Sequence, residues 1–384
     1  MSSRASHLSR VRRLVVKVGS RVIAPGGVLD DQALDDLCDQ LLAVRRRGID
    51  VVLVSSGAVA AGRGQLGLKE RPRTIPLMQA AAAAGQIALL RSYAGRLVPA
   101  GQQVAQLLLT ADDISDRRRF TNARNTVSTL LGMGVVPIVN ENDTVAVEEI
   151  KLGDNDRLSA LVTNLVEAEL LVLLSDVDGF YNADPRRVPG ARRHGFIAEL
   201  TREHVQEAGP TTSEVGLGGM VTKLEAARQA TLSGSSTVIA SGGEERVLER
   251  ILDGEDIGTW IAARRSIGAR KHWIAYSSEL AGAVVVDDGA LGALRDRGKS
   301  LLPSGIVDVR GEFDRGATIR VLALDGSEIG RGQAAYSAAD LQRLAGCQSS
   351  EIEAVLGYKY FDEAVRRDDF VLTTDHKLME VGER

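Results

Sequence analysis

The residues in this chain that could do chemistry are lysines and small polar groups beside glycines, rather than histidines or cysteines. Lys17 interrupts the apolar run Leu14–Val18, two positions before Gly19-Ser20. A buried, unpaired ammonium is costly, so a lysine there needs an anionic partner. A neighbouring carboxylate and a phosphate are both open, and glycine at the strand end favours the phosphate. Gly216-Leu217-Gly218-Gly219-Met220-Val221-Thr222-Lys223 opens a helical stretch, Leu224 to Leu232. Glycines ahead of a helix let backbone amides face an anion at the positive end of the dipole, and Lys223 adds a mobile charge. Two clusters of carboxylates and amides follow one another, Asn140-Glu141-Asn142-Asp143 and Gly153-Asp154-Asn155-Asp156. They could grip an ammonium group, lysines or a divalent cation; Asp154 or Asn155 could instead cap a helix over Leu158–Val166. Asp178 to Pro185 is rich in turn formers and needs no further role.

Other chemistries lack their residues. There is no GxxxxGK[ST] loop, no HExxH and no kinase-type HRD followed by DFG. The five histidines and the two cysteines, Cys38 and Cys347, stand in no ligand-like spacing. No residue is therefore assigned to a metal, and neither a disulfide framework nor a serine-hydrolase reading has a motif to rest on.

Strands and helices must bring these groups together. Val51–Val54 ends in Ser55-Ser56-Gly57, Gly134–Val139 in Asn140–Asp143, Leu170–Leu174 in Ser175-Asp176, and Thr237–Ala240 in Ser241-Gly242. Continuous apolar strands separated by helices indicate a parallel sheet covered on both faces. Ligands gather at the carboxyl ends of such strands, where this chain keeps its Gly, Ser, Asn and Asp. A helix from about Asp30 carries Leu34, Leu37, Cys38, Leu41 and Leu42 on one face, and Arg45-Arg46-Arg47 closes it as a charge cap. Gln79–Gln86, with its five alanines, reads as a helix packed closely on a neighbour, and Asp116–Arg119 as a loop or helix start. Beyond Arg270 helices are scarce and glycines punctuate short strands such as Gly305–Val309 and Ala317–Val321, which predicts a small β-rich barrel. The expected fold class is α/β, an αβα sandwich on a mostly parallel sheet over residues 1–265, with a small β-barrel over 276–384 and a hinge between Ala262 and Trp273.

Composition narrows the field. With 384 residues, 44% hydrophobic and 26% charged, the chain has globular averages. No apolar run approaches the ~18 residues that span a bilayer, and no signal peptide is evident, so a cytoplasmic address is expected and a membrane partner is not. Net charge is -4, with 14 basic against 19 acidic residues from Lys271 onward, a poor footprint for nucleic-acid phosphates.

The motifs VVKVGS (Val15–Ser20), VSSGAV (Val54–Val59), NEND (Asn140–Asp143), GDND (Gly153–Asp156), LLSDVDGFYNADPR (Leu173–Arg186) and GGMVTK (Gly218–Lys223) come in an order that resembles the amino acid kinase superfamily, and within it the glutamate 5-kinase family. The C-terminal part resembles the PUA domain. The resemblance implies ATP-dependent phosphorylation of the γ-carboxylate of L-glutamate, the first step of proline biosynthesis. It implies that Lys17 and Lys223 contact the transferring phosphoryl group and that Asp156 orients them. Ser56, Asp143 and Asn155 would bind glutamate; Lys17, Ser175, Asp176 and Leu217, Gly218, Gly219, Met220, Val221, Thr222 and Lys223 would hold ATP. Ser175 stands where threonine is familiar, keeping the hydroxyl, and Leu217 replaces a threonine often seen before Gly-Gly-Met. Mg²⁺ would ride on the ATP phosphates. The implied partners are a second copy of the chain and the downstream glutamyl phosphate reductase, with RNA through the PUA-like domain a disfavoured one. Two alternatives stay open: a sibling kinase acting on aspartate, acetylglutamate, carbamate or UMP, and an RNA-binding protein working through its barrel.

Overall fold

The computed structural model describes residues 4–70, 72–146, 155–208, 219–263 and 280–372. The chain divides into two compact units, Met1–Ser266 and Ile267–Arg384. Ala262 and Ala263 of the expected hinge are described; its remainder lies outside the described residues.

After a five-residue helix at Arg4–Leu8, the first unit continues with strand β1 (Arg13–Val18), helix α1 (Asp31–Arg46) and strand β2 (Asp50–Ser55). Helices α2 (Ala58–Gln65) and α3 (Ile75–Leu97) lead to β3 (Val104–Leu109). Then come α4 (Arg117–Gly132), β4 (Val136–Glu141), α5 (Asp156–Leu165), β5 (Leu170–Ser175) and the short β6 (Phe196–Ile197). Helix α6 (Met220–Leu232), β7 (Ser236–Ser241), α7 (Val247–Leu252) and β8 (Thr259–Ile261) complete it. The eight strands form one sheet in the order β3-β4-β2-β1-β5-β7-β8-β6, parallel except where β7 meets β8.

Side-chain alternation along β1 sorts the two faces. Leu14, Val16 and Val18 join one apolar layer with Leu34, Leu41 and Tyr93 of α1 and α3 and Leu248 of α7. Val15 joins the opposite layer with Val127 of α4, Leu158 of α5 and Leu224 of α6. Lys17 shares the parity of Val15, so it rises toward α5 and α6. Helix α1 buries its expected apolar face and is capped by Asp30, whose side chain accepts from the Ala33 amide. Arg45 and Arg47 at its end each reach 2.7 Å from a carboxylate, Asp50 and Asp253. Asp116 is the cap of α4, accepting from the Arg119 amide. Helices α5 and α6 begin earlier than the apolar periodicity predicts, at Asp156 and Met220, because polar first turns carry no hydrophobic signal. Strands β3, β6 and β8 escape the sequence reading: β3 carries Gln106 within its apolar run, and the other two have two and three residues.

The second unit comprises β9 (Gly282–Val286), helix α8 (Asp288–Arg295), β10 (Ile306–Arg310), β11 (Thr318–Leu322), β12 (Glu328–Gln333), helix α9 (Ala338–Leu344) and β13 (Phe370–Leu372). Its sheet runs β10-β9-β11-β12-β13, with only β9 and β11 parallel. A separate apolar cluster, including Val284, Ile319, Tyr336, Leu341 and Phe370, fills it. Among the described residues, no helix is long and apolar enough to cross a membrane.

The alanine-rich helix packs as its small residues demand. Helices α2 and α3 cross at Gly62 and Gly85, where a Cβ on Gly62 would sit 1.7 Å from the Ala81 carbonyl oxygen and one on Gly85 1.8 Å from that of Ala58. Both obstacles are backbone, so the helices themselves would have to part. Gly85→Ala is therefore expected to destabilise the protein by about 2–3 kcal/mol, read as a lower urea midpoint. Gly95→Ala in the same helix meets nothing within 4 Å and is expected to be neutral or stabilising by about 0.5–1 kcal/mol.

Candidate functional site

At the carboxyl end of the sheet one buried carboxylate holds two lysines. Asp156, the first residue of α5, is fully buried; its Oδ1 lies 2.6 Å from Lys17 Nζ and its Oδ2 3.1 Å from Lys223 Nζ. Lys17 is only 1% exposed. Of the two partners open to Lys17 in the sequence, the carboxylate is the one in contact. The Thr222 hydroxyl lies 2.9 Å from Asp156 Oδ2 and 2.8 Å from the Gly219 carbonyl oxygen. The lysines reach this point from separate elements, one from the middle of the sheet and one from the first turn of α6. Gly19 follows so closely that a Cβ there would be 3.9 Å from Lys17 Nζ.

On the β2–β4 side lie Ser56, Asn155 and Asp143. Ser56 follows β2, its amide donating to the Val18 carbonyl, and Gly57 turns the chain into α2 with φ +98°, a left-handed value that suits glycine. The Ser56 hydroxyl is buried and has no hydrogen-bond partner among the described residues. Asn155 precedes α5 but does not cap it; its Nδ2 donates to the Ser55 carbonyl at 2.6 Å and to Asn140 Oδ1 at 2.7 Å. Capping alone therefore does not account for Asn155. Burial pushes the Asp143 carboxyl up to about 6, partly offset by a hydrogen bond from Gln86. Gly153 and Asp154 lie outside the described residues.

On the β5–β7 side, the buried Ser175 ends β5, and its hydroxyl donates to Asp176 Oδ1 at 3.2 Å. Partial burial raises the Asp176 carboxyl, but the Arg21 guanidinium, 2.9 Å away, outweighs it and the group stays below its ordinary range. Gly219, Met220, Val221, Thr222 and Lys223 form the entry and first turn of α6, which has no side-chain cap. Leu217 and Gly218 lie outside the described residues.

Three neighbours escaped the sequence reading. Gln86 lies at the end of the alanine tract, Gln106 in β3, and Arg21 just past Ser20. Gln106 breaks an apolar strand as Lys17 does, and that interruption was the available signal. Among the described residues, no group of three or more His, Cys, Asp or Glu side chains could hold a metal ion.

Such a site, with two ammonium groups on one carboxylate between a polar pocket and a helix entry, suits movement of an anionic group from one side to the other. Comparison with known proteins agrees. The amino acid kinase family matches residues 12–241, and the PUA domain residues 282–356. The glutamate 5-kinase of Pelobacter propionicus is 50% identical over 365 residues, 94% of this chain and 98% of its own. Those of Syntrophotalea carbinolica and Geobacter sulfurreducens are 51% and 50% identical, covering 95% and 96% of this chain and 98% and 100% of theirs. Among solved structures, UMP kinase from Bacillus anthracis aligns over 67% of this chain and 98% of its own, at 15% identity and a TM-score of 0.47. With glutamate 5-kinases about half identical along nearly its whole length and the amino acid kinase model matching residues 12–241, the chain belongs to the amino acid kinase family, among the glutamate 5-kinases.

Proposed function

We propose that the chain transfers the γ-phosphoryl group of ATP to the γ-carboxylate of L-glutamate, giving ADP and L-glutamyl 5-phosphate, the first step of proline biosynthesis. One observation carries the reading. Lys17 stands on β1, between β2 and β4, whose ends carry Ser56 and Asp143, and β5, whose end carries Ser175 and Asp176. Glutamate is assigned to the first side and ATP to the second, so the phosphoryl group passes over β1.

The glutamate γ-carboxylate has a pKa of about 4.3 and is ionised at neutral pH, so no general base is needed. One of its oxygens forms the new bond to the γ-phosphorus while the bond from that phosphorus to the β,γ-bridging oxygen breaks, the electron pair leaving with ADP. The obstacle is bringing two anions together and stabilising the spread charge in line. Lys17 and Lys223 supply that stabilisation, and Asp156 keeps both ammonium groups aimed. Asp143 and Asn155 receive the α-ammonium, the orphaned Ser56 hydroxyl receives a second polar group of glutamate, and Ser175, Asp176 and the entry to α6 hold ATP. Mg²⁺ is assigned to the nucleotide phosphates, since the central carboxylate is already engaged by two lysines.

Every assigned residue precedes 265, so catalysis belongs to residues 1–265 and the PUA-like part, 276–384, supplies none of it. The substrates are cytoplasmic metabolites, which supports that address. An acyl phosphate is labile, which favours a nearby reductase that consumes it. A homo-oligomer is supported by the edge position of β3 and by Ile87 on α3, 66% exposed.

ADP release coupled to hydroxylamine trapping tests the reading: glutamate should give a hydroxamate, and aspartate or acetylglutamate should give at least tenfold less. Equal turnover of acetylglutamate would sink it. Lys223→Ala should lower kcat by roughly 10²–10³-fold with little change in glutamate KM, because its charge matters most as the phosphoryl group departs. A raised KM with kcat intact would contradict that role.

Asp143 gives a pH dependence with a definite sign. Its carboxyl is raised to about 6, so it is charged above that pH and neutral below, where it no longer pairs with an ammonium. Glutamate KM should climb as pH falls through about 6, approaching tenfold per unit below it. Asp143→Asn should cost about tenfold to 150-fold in glutamate affinity, the worth of one charged hydrogen bond, and flatten that climb. An unchanged acidic limb in the variant would remove Asp143 from the ammonium.

A further inference from the structure

The glutamate side of the site is backed by helix α3, whose polar residues have no part in the steps above. Gln86 and Tyr93 are seven positions apart, about two turns, and so share one face. Both are buried. Gln86 Oε1 accepts from Asn140 Nδ2 at 3.2 Å and Gln106 Nε2 at 3.0 Å, and its Nε2 donates to the Glu141 carbonyl at 3.3 Å. A hydrogen bond from Gln86 also lowers the Asp143 carboxyl against its burial. An amide offers two acceptor sites and two donors; Oε1 accepts twice and Nε2 donates to a carbonyl, so the group has one orientation.

That orientation is handed on. Asn140, with its nitrogen committed to Gln86, turns its oxygen to the Glu141 amide at 2.9 Å and to Asn155 Nδ2. Both Asn155 N–H groups are then spent, on Asn140 and on the Ser55 carbonyl. Asn155 has only its oxygen left to offer a ligand. The Tyr93 hydroxyl lies 2.8 Å from Ser55 Oγ, and Ser55 Oγ donates to the Ser56 carbonyl at 3.0 Å. Tyr93 thus holds the side chain of Ser55, the residue whose own carbonyl receives Asn155.

We propose that Gln86 and Tyr93 are positioning residues that set specificity for a free α-amino group: they brace the pocket from behind so that Asn155 and Asp143 both present acceptor oxygens. An ammonium brings three donors to such a pocket, whereas an N-acylated amine brings one and leaves an acceptor unmatched, which is penalised when buried. The inference rests on the kinase reading above and deepens it.

The test compares Gln86→Met, similar in length and without hydrogen bonds, and Tyr93→Phe with the parent in the full-length chain. Steady-state constants for glutamate and ATP, and kcat/KM for N-acetylglutamate, are measured with melting curves. Glutamate KM should rise about tenfold for Gln86→Met and at least threefold for Tyr93→Phe, with kcat within threefold and ATP KM within twofold. The preference for glutamate over N-acetylglutamate should shrink in both. A glutamate KM within threefold of the parent in either variant that folds, or an ATP KM rising in step with that for glutamate, overturns the brace. Should Gln86→Met fail to fold, Tyr93→Phe, which loses one oxygen, decides alone. A parent that does not phosphorylate glutamate would instead defeat the kinase reading itself.

Discussion

The first unit is arranged around one contact, a carboxylate without solvent exposure gripping two ammonium groups. Two lysines brought together in a protein interior repel each other and lose their hydration, and both effects cost free energy. Asp156 removes both objections at once, but only if three separate segments converge on it. Strand parity must turn Lys17 toward α5 and α6 rather than toward α1. The polar first turns of α5 and α6 must begin over the same strand ends. Neither Asp156 nor Lys223 could be moved one position along its helix without losing the convergence, since one residue rotates a side chain by about 100°.

The chemistry explains what the site does without. Phosphoryl transfer between two groups already anionic at neutral pH asks for no proton shuttle, so the chain has nothing to gain from a histidine or cysteine there. What it needs is positive charge held still, and a parallel sheet provides the frame. Progress along the chain moves outward from β1 to β2 on one side and returns to β5 on the other, so the polar ends of β2 and β5 flank the central strand.

Much of this was legible in the residues. The five apolar strand runs lie within or beside observed strands, and Lys17 stood out because charge inside such a run is expensive. The entry to α6 was legible as a glycine-rich helix start, although Leu217 and Gly218 lie outside the described residues. Asn155 read as a cap or a ligand with equal ease; only its two donated bonds, both away from the helix, separate these. Gln86 was illegible for a different reason. A glutamine ending an alanine helix is an ordinary surface residue by pattern, and the sheet alone brings it beside Asn140. Pairwise meetings of that kind depend on topology, which local spacing does not encode.

The glycine contact between α2 and α3 bears on how this pocket could change over time. Ser56 stands just ahead of α2, and Gln86 directly follows Gly85 on α3, so the two walls of the proposed glutamate pocket are joined where backbone touches backbone. A gap set by side chains can be widened in small increments, by trading a leucine for a valine. One set by main-chain atoms offers no such gradation. Acceptance of a bulkier amino acid would therefore have to come from trimming residues that line the pocket, because the spacing of its walls has no intermediate settings for selection to explore.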